Sequence, residues 1–230
     1  MQGLTGFAFG LVSLTFWVWV LPPESAGPLV VACSLLGKVL NGRTTWRGLR
    51  MPAAWPFILG GVAGVPVGAW LLPLISADAF KLGLGVLLAV WCPVMLLAAR
   101  LPAVTFGGRA ADTLAGWLGG VMGGIAGLSG PAPTLWVAFR RWDKDAQRAM
   151  FQGYHTIMHS LALTAFVVRG LVGMEEVRLF ALAAPCMLLP ILAGTRLYAR
   201  LSDRGYRNIV LALLSIAGLV LIVNGIPKPG

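Results

Sequence analysis

Long apolar stretches alternate with short charged segments along the whole chain. A helix that crosses a membrane needs roughly 20 apolar residues, and eight stretches approach or exceed that length. They are Leu4–Leu21, Ala26–Leu40, Ala53–Leu74, Ala79–Ala99, Asp112–Phe139, Gln147–Val168, Val177–Ala199 and Tyr206–Val223. The pattern predicts an all-α integral membrane protein with about eight transmembrane helices.

Two of the eight stretches are irregular. Ala26–Leu40 is short, which predicts a tilted or partly re-entrant helix. Asp112–Phe139 is too long for one regular helix, and prolines in its Gly130–Pro133 segment lack the amide hydrogen that a continuing helix requires. We therefore predict a helix broken at Gly130–Pro133. Broken helices inside a membrane expose backbone groups that can hold a substrate or an ion.

The chain contains an internal repeat. GAWLLPLISADAFKLGLGVLL, which starts at Gly68, aligns with GTRLYARLSDRGYRNIVLALL, which starts at Gly194. Earlier in each half, residues 21–24 align with residues 142–145. This second alignment leaves nothing in the first half opposite Asp112–Val121, so the first span is shorter than its partner or the chain start is truncated.

The alignment predicts two four-span repeats, residues 1–105 and residues 106–230, within one membrane domain. Because four is an even number of crossings, we expect the repeats to have the same orientation, as in a parallel repeat. With eight spans, Lys and Arg divide equally, nine on each side. The positive-inside rule therefore leaves the orientation of the chain in the membrane undecided.

Composition supports the membrane assignment and excludes other classes. Charged residues make up 11% of the chain and hydrophobic residues 58%, whereas a soluble domain has roughly 25% charged residues. The net charge of +10 does not indicate a nucleic-acid partner, since Lys and Arg lie at the ends of apolar runs. The three cysteines are isolated in apolar runs, a pattern that favours packing over disulfides or zinc.

The densest local signal is the glycine-rich segment 116–133. Glycines three and four residues apart flatten a helix face, so that another helix can approach closely. Helix packing explains the glycines but not the Ser-Gly-Pro-Ala-Pro sequence that follows them. Amide hydrogens at the start of a half-helix favour an anion. We therefore select Gly127, Ser129 and Gly130 as candidate substrate-binding residues.

A second polar group lies in the sixth stretch. Gln152, His155, Thr156 and His159 share one helical face, and polar residues inside a span usually face a cavity or a partner. The face is open to three interpretations: a substrate-facing wall, interhelical hydrogen bonding, or a metal site. For metal binding, the HxxxH spacing lacks the Glu of HExxH and no carboxylate shares the face, so we predict no metal and no cofactor.

The repeat alignment extends this group to the first half. Extended without gaps, it places Ser34 opposite His155 and Lys38 opposite His159. Each half then presents a side chain that can be cationic at an equivalent depth. Lys38 is also open to a second interpretation, in which its side chain snorkels to the membrane interface.

GGIAGLSGPAPTLWVAFRRWDKDAQRA resembles the second-repeat signature of the TauE/SafE sulfite exporter (TSUP) family. That signature is a glycine-rich helix, a Gly-Pro break, an apolar segment and an Asp-Lys…Arg-Ala loop. LPPESAG and the apolar run containing Ser34 are similar to the corresponding first-repeat segment, although Leu11–Trp17 replaces the family's usual glycine-rich break. The resemblance covers nearly the whole chain and implies a permease for sulfite, organosulfonates or related anions.

We therefore predict a permease for a small sulfur-containing anion that works by alternating access in the cell membrane, by resemblance a bacterial inner membrane. Protons as coupling ion and a homo-oligomeric state are left open. Two other classes remain as alternatives. An integral membrane enzyme would need a nucleophile with a base or a carboxylate pair, and Asp and Glu occur only at the ends of the spans. A non-transporting subunit would need a docking surface, and the loops are short.

Overall fold

In the computed structural model, residues 2–39, 52–97, 104, 106–185 and 203–225 are described. All regular elements in these residues are helical. The α-helices are α1 Gln2–Trp17, α2 Pro23–Val39, α3 Trp55–Leu71, α4 Ala77–Leu97, α5 Gly108–Ala126, α6 Pro131–Phe139, α7 Lys144–Val168, α8 174–185 and α9 Asp203–Gly225. The predicted all-α class is confirmed, while the later part of the seventh predicted stretch lies outside the described residues.

Among the described residues, two helical stretches are long and apolar enough to cross a membrane, Pro52–Leu74 and Ala77–Leu97. Large apolar side chains are also exposed on α1, α5, α7, α8 and α9, for example Phe16 at 68% and Leu182 at 72%. Soluble monomers rarely expose extensive apolar surface. The outer surface of the bundle therefore suits contact with lipid. Inside it, Cys33 and Cys92 are buried as predicted, and Cys186 lies outside the described residues.

The fifth predicted stretch is broken, as predicted, and the break covers residues 127–130, so that it meets the predicted Gly130–Pro133 segment at Gly130. Helix α5 ends at Ala126, and Gly127 follows in the left-handed conformation, with φ 69° and its amide bonded to the Gly123 carbonyl. Glycine adopts this conformation without steric cost and often ends a helix in this way. Pro131 then begins α6, at the first helical position, where no amide hydrogen is needed. The prediction that the prolines stop the helix is therefore wrong, because Gly127 ends one helix and Pro131 starts the next.

Helix α6 returns along α5 instead of completing the crossing. A Cβ added at Gly119 would lie 2.6 Å from the Ser129 carbonyl oxygen, so the break folds back onto the middle of α5. Farther along α6, Trp136 Nε1 and Arg140 Nη1 each donate to Asp112 Oδ1 at 2.7 Å. Both ends of the α5–α6 segment therefore lie at one face of the bundle, which we call the Asp112 face.

Helix α3 runs parallel to α5 and packs closely against it. A Cβ at Gly116 would lie 2.6 Å from Phe57 Cα, and a Cβ at Gly124 would lie 2.7 Å from Ala69 N. Residues farther along α3 contact residues farther along α5, so the two helices point the same way. Helix α3 therefore also begins at the Asp112 face. Glycine on both sides of the contact brings the two backbones together.

The internal-repeat alignment pairs α2 with α7 and α4 with α9. In each pair the two helices run in opposite directions. Helix α2 is antiparallel to α7, since Lys38 contacts His159 while Ser25, at the start of α2, donates to Glu176 at the start of α8. Helix α9 is antiparallel to α4, because Cβ atoms added at Gly218 and Gly225 would each lie 2.9 Å from backbone nitrogens of Ala89 and Leu82 respectively. The face at which α8 begins is called the Glu176 face.

These directions correct the expectation of a parallel repeat. That expectation counted the fifth stretch as one crossing, but the α5–α6 segment enters and leaves at the Asp112 face. Consequently α7 begins at the Asp112 face, whereas its matched helix α2 begins at the Glu176 face. The two halves are inverted relative to each other, and their status as repeats of residues 1–105 and 106–230 stays a prediction.

Candidate functional site

Three elements bring polar side chains together inside the bundle. Helix α2 contributes Ser34 and Lys38, helix α7 contributes His155 and His159, and the break between α5 and α6 contributes Ser129. All five are buried, Lys38 being the most exposed at 8%. Polar groups buried in an apolar bundle are costly unless they find partners, so their contacts are the main evidence for a site.

Lys38 and His159 form a direct pair. Lys38 Nζ lies 2.5 Å from His159 Nδ1, and His159 Nε2 lies 3.0 Å from the Gly127 carbonyl oxygen. Since a carbonyl only accepts hydrogen bonds, Nε2 carries a hydrogen and donates it. The Nδ1 atom and the Lys38 amine then share one hydrogen bond, in which either of them can be the donor. The interpretation of Lys38 as a snorkelling side chain is wrong, because it points into the bundle.

His155 extends the cluster from this pair to the break. Its Nδ1 atom lies 2.8 Å from Ser129 Oγ. Its ring stacks between Phe151 and His159, with centroid distances of 5.9 and 5.8 Å and interplanar angles of 29° and 28°. The stack holds both imidazoles against the break. Interhelical hydrogen bonding, one of the three interpretations of this polar face, is therefore observed.

Two glycines allow α2 to reach the break. A Cβ at Gly27 would lie 3.1 Å from the Ile125 carbonyl oxygen. A Cβ at Gly127 would lie 2.9 Å from Val31 Cγ2 and 3.0 Å from Val30 Cγ1. Close backbone approach at these positions places Lys38, farther along α2, beside His159.

The remaining predicted site residues are buried or form hydrogen bonds close to them in the chain. Gln152 is buried, at 5% exposure. The Thr156 hydroxyl donates to the Gln152 carbonyl in its own helix at 2.7 Å, so it is occupied locally. Gly130 precedes α6, and its carbonyl accepts the Thr134 amide at 3.0 Å. Among the described residues, the buried Ser34 hydroxyl has no hydrogen-bond partner.

The start of α6 offers few amide donors to an anion. Two of its first three residues are prolines, Pro131 and Pro133, which carry no amide hydrogen. The Thr134 amide is bonded to Gly130. Only Ala132 remains as a donor among the first three positions. The expected backbone contribution to anion binding is therefore smaller than a half-helix N-terminus usually provides.

Sequence reasoning missed two residues that fix the break. The Trp91 indole donates to the Pro131 carbonyl at 2.9 Å and ties α4 to the first turn of α6. Asp112 is 6% exposed and binds Trp136 and Arg140. A signal for Trp91 existed, since it lies in the middle of an apolar stretch, away from the interfaces that tryptophan usually prefers.

The arrangement does not assemble metal ligands. Among the described residues, no group of three or more His, Cys, Asp or Glu side chains gathers. The Nδ1 atoms of both histidines face Ser129 and Lys38 rather than a common point. The cluster can therefore donate hydrogen bonds and hold positive charge, a chemistry that suits an anion.

An apolar helix bundle with a broken helix and a buried cluster of lysine and histidine side chains defines a helical membrane protein with a polar centre. The family model described as "Sulfite exporter TauE/SafE" matches residues 1–221. The chain belongs to the TauE/SafE sulfite exporter family, whose members are membrane transporters and not enzymes. No curated protein and no solved structure matches the chain.

Proposed function

We propose that this chain is a permease for a small sulfur-containing anion, which binds at the cluster of Ser34, Lys38, Ser129, His155 and His159. The observation that carries the proposal is the Lys38–His159 pair, two buried ionisable side chains in contact inside an apolar bundle. An ionisable group in such a place is costly and is a functional candidate by default.

In the part of the chain that the structure describes, no carboxylate pairs with Lys38 or His159. In the described part of the chain the ion pairs are Arg140–Asp112 and Arg178–Glu175, and Lys38 takes part in neither. A buried charge needs a partner of opposite sign or a strong hydrogen-bond network. A bound anion would supply that partner, which explains why a transporter retains a buried lysine there.

Hydroxyl groups complete the proposed site. Ser34 Oγ is buried without a partner among the described residues, and it lies one helical turn from Lys38. Ser129 Oγ lies on the other side of the cluster, at the break. These donors and the cationic pair would together replace the hydration shell of a small oxyanion. Gln152 and Thr156 belong to the outer wall of this site.

The arrangement of the halves supports alternating access. Lys38 and Ser34 come from residues 1–105, and Ser129, His155 and His159 from residues 106–230, so the site lies between the halves. The matched helices run in opposite directions, as in the inverted repeats of many secondary transporters. Rocking of one half against the other would expose the site to each side in turn.

The substrate class comes from the family, whose sulfur-containing anions include sulfite and organosulfonates. The Lys38–His159 pair holds a transferable proton, which favours protons as the coupling ion. A homo-oligomer and a bacterial inner membrane remain predictions from resemblance.

Flux into liposomes that contain only this protein tests the proposal. At about pH 8 we expect uptake of isethionate above protein-free liposomes, its loss in Lys38→Gln, and its retention in Lys81→Gln. Lys81 is a matched control because it lies near the Glu176 face, 5.9 Å from the Trp19 ring. Absence of uptake by the wild type would favour a non-transporting subunit. Equal uptake by both variants would show that the site lies elsewhere.

A further inference from the structure

We propose that the site accepts one negative charge at a time, so that it selects monoanions such as sulfonates or hydrogen sulfite and rejects dianions such as sulfate. This inference rests on the proposed function and specifies its substrate class by charge. It follows from the number of protons that the Lys38–His159 contact can hold.

The Lys38–His159 contact holds at most one positive charge. His159 Nε2 donates to the Gly127 carbonyl, so only Nδ1 is available to Lys38 Nζ, 2.5 Å away. An ammonium can donate to a neutral Nδ1, or a protonated Nδ1 can donate to a neutral amine. An ammonium and a protonated Nδ1 cannot face each other there, since neither offers a lone pair.

A second charge on His155 is also disfavoured. Its ring lies 5.8 Å from the His159 ring, centroid to centroid. Protonation of His155 would place two like charges side by side in a buried site, which raises the free energy of the doubly charged state. The cluster of one lysine and two histidines can therefore hold at most one positive charge.

Other titratable groups on the neighbouring elements do not change the number of charges that the cluster can hold. Helices α1 and α3 contain none. Tyr154, on α7, donates its hydroxyl hydrogen to the Gly116 carbonyl at 2.9 Å. On the remaining packed elements, charged groups with described partners include Asp112 with Arg140, Arg178 with Glu175, Glu176 with Ser25 and Gly173, and Lys81 with the Trp19 ring.

A monoanion would neutralise this charge, whereas a dianion would keep one uncompensated negative charge in a buried site. Such a charge is strongly unfavourable in an apolar environment. We therefore expect a monoanion to bind about tenfold or more tightly than a dianion of the same size and shape. The amide hydrogens that could otherwise stabilise a second charge are scarce at the start of α6, which contains Pro131 and Pro133.

Methanesulfonate and sulfate provide a matched pair of probes. Both are tetrahedral and similar in size, and their charges are fixed at −1 and −2 near neutral pH. The experiment measures the dissociation constant of each for the purified full chain by titration calorimetry at about pH 8. We expect methanesulfonate to bind about tenfold or more tightly than sulfate, with its affinity retained in Lys81→Gln and lost in Lys38→Gln.

The outcomes separate this inference from the proposed function. Sulfate binding as tight as methanesulfonate binding, or tighter, would overturn the single-charge inference even if isethionate enters liposomes. Binding of neither anion would overturn the inference together with the site. If the Lys38→Gln protein fails to fold, Lys38→Arg keeps the positive charge, and it should keep the preference for methanesulfonate. A preference for sulfate in Lys38→Arg would contradict the inference.

Discussion

A lysine amine inside a helix bundle exchanges its water shell for protein partners, and for Lys38 that partner is an imidazole. The pair differs from a salt bridge in one respect. Its two members compete for a single proton, so each can replace the other as the carrier of positive charge. Neither residue is then the sole cation of the site, and the consequences of removing each depend on pH.

This exchange predicts different phenotypes for the two members of the pair. We expect His159→Gln to bind isethionate with a modest loss, about 1 kcal/mol, because Lys38 keeps the charge and the glutamine oxygen accepts its hydrogen bond. Lys38→Gln leaves only an imidazole, which is a weaker base than a lysine amine. Its binding should therefore be weak at about pH 8 and strengthen toward pH 6, by up to roughly tenfold per pH unit.

Isethionate affinity, measured across this pH range, checks both phenotypes, because isethionate keeps its charge throughout. The double variant Lys38→Gln with His159→Gln has no cation at the contact and should fail to bind at every pH. A flat pH profile for Lys38→Gln would contradict the shared-proton account. So would a His159→Gln protein as impaired as the double variant.

Several residues of the cluster were predictable from sequence because a polar side chain in an apolar run is an anomaly. Five residues stand out in this way, and the structure brings them together: Ser34, Lys38, Ser129, His155 and His159. Trp91 also stands out, as a tryptophan in the middle of an apolar stretch, but its role depends on a carbonyl forty residues away in the chain. A composition or spacing argument contains no information about that partner.

At the scale of elements, the break between α5 and α6 decides the geometry of the site. Gly127 turns the chain in a left-handed conformation, and its carbonyl orients His159. A break was predictable from the prolines, but whether they end one helix or begin the next was not. A proline such as Pro131 is compatible with the start of a helix as well as with the end of one. The sequence alone therefore leaves both alternatives open.

Gly127 should therefore be less replaceable than a helix glycine with open space around it, such as Gly83. We expect Gly127→Ala to destabilise the protein by about 1–2 kcal/mol, the cost of a left-handed alanine, with an added clash against Val31 Cγ2. Isethionate flux should fall as well, because the carbonyl that holds His159 moves. Thermal unfolding and liposome flux measure the two effects.

Gly83→Ala is the matched control for this change. Gly83 lies in α4, and a Cβ added there meets nothing within 4 Å. Alanine is favoured over glycine in a helix interior by roughly 0.5–1 kcal/mol, so this variant should be at least as stable as the wild type and transport normally. If Gly127→Ala behaved like Gly83→Ala, the break would not be set by the backbone conformation of Gly127.

At the scale of the whole molecule, the return of α6 changes the distribution of positive charge. By chain position, most Lys and Arg residues next to described helix ends belong to the Asp112 face. They are Arg109, Arg140, Arg141, Lys144, Arg148, Arg204 and Arg207. Three belong to the Glu176 face: Lys81, Arg169 and Arg178. The equal division expected from eight simple crossings disappears.

The positive-inside rule then gives an orientation, since cytoplasmic loops carry the excess of Lys and Arg. We predict that the Asp112 face is cytoplasmic and the Glu176 face is external. The sequence could not provide this result, because the number of crossings before each loop depends on whether α5–α6 crosses the membrane or returns. Contacts such as that of Arg140 with Asp112, distant in the chain, settle that point.

Labelling of single cysteines with a membrane-impermeant maleimide in intact cells tests the orientation and the inversion together. The exposed positions Asp78, Arg109 and Arg141 suit the test in a background without the native cysteines. We expect Asp78→Cys to be labelled from outside, whereas Arg109→Cys and Arg141→Cys should react only after the cells are permeabilised. Labelling of Arg109→Cys and Arg141→Cys from opposite sides would mean that α5–α6 crosses the membrane and that the halves are parallel. Labelling of both from outside, with Asp78→Cys protected, would preserve the inversion and reverse the orientation.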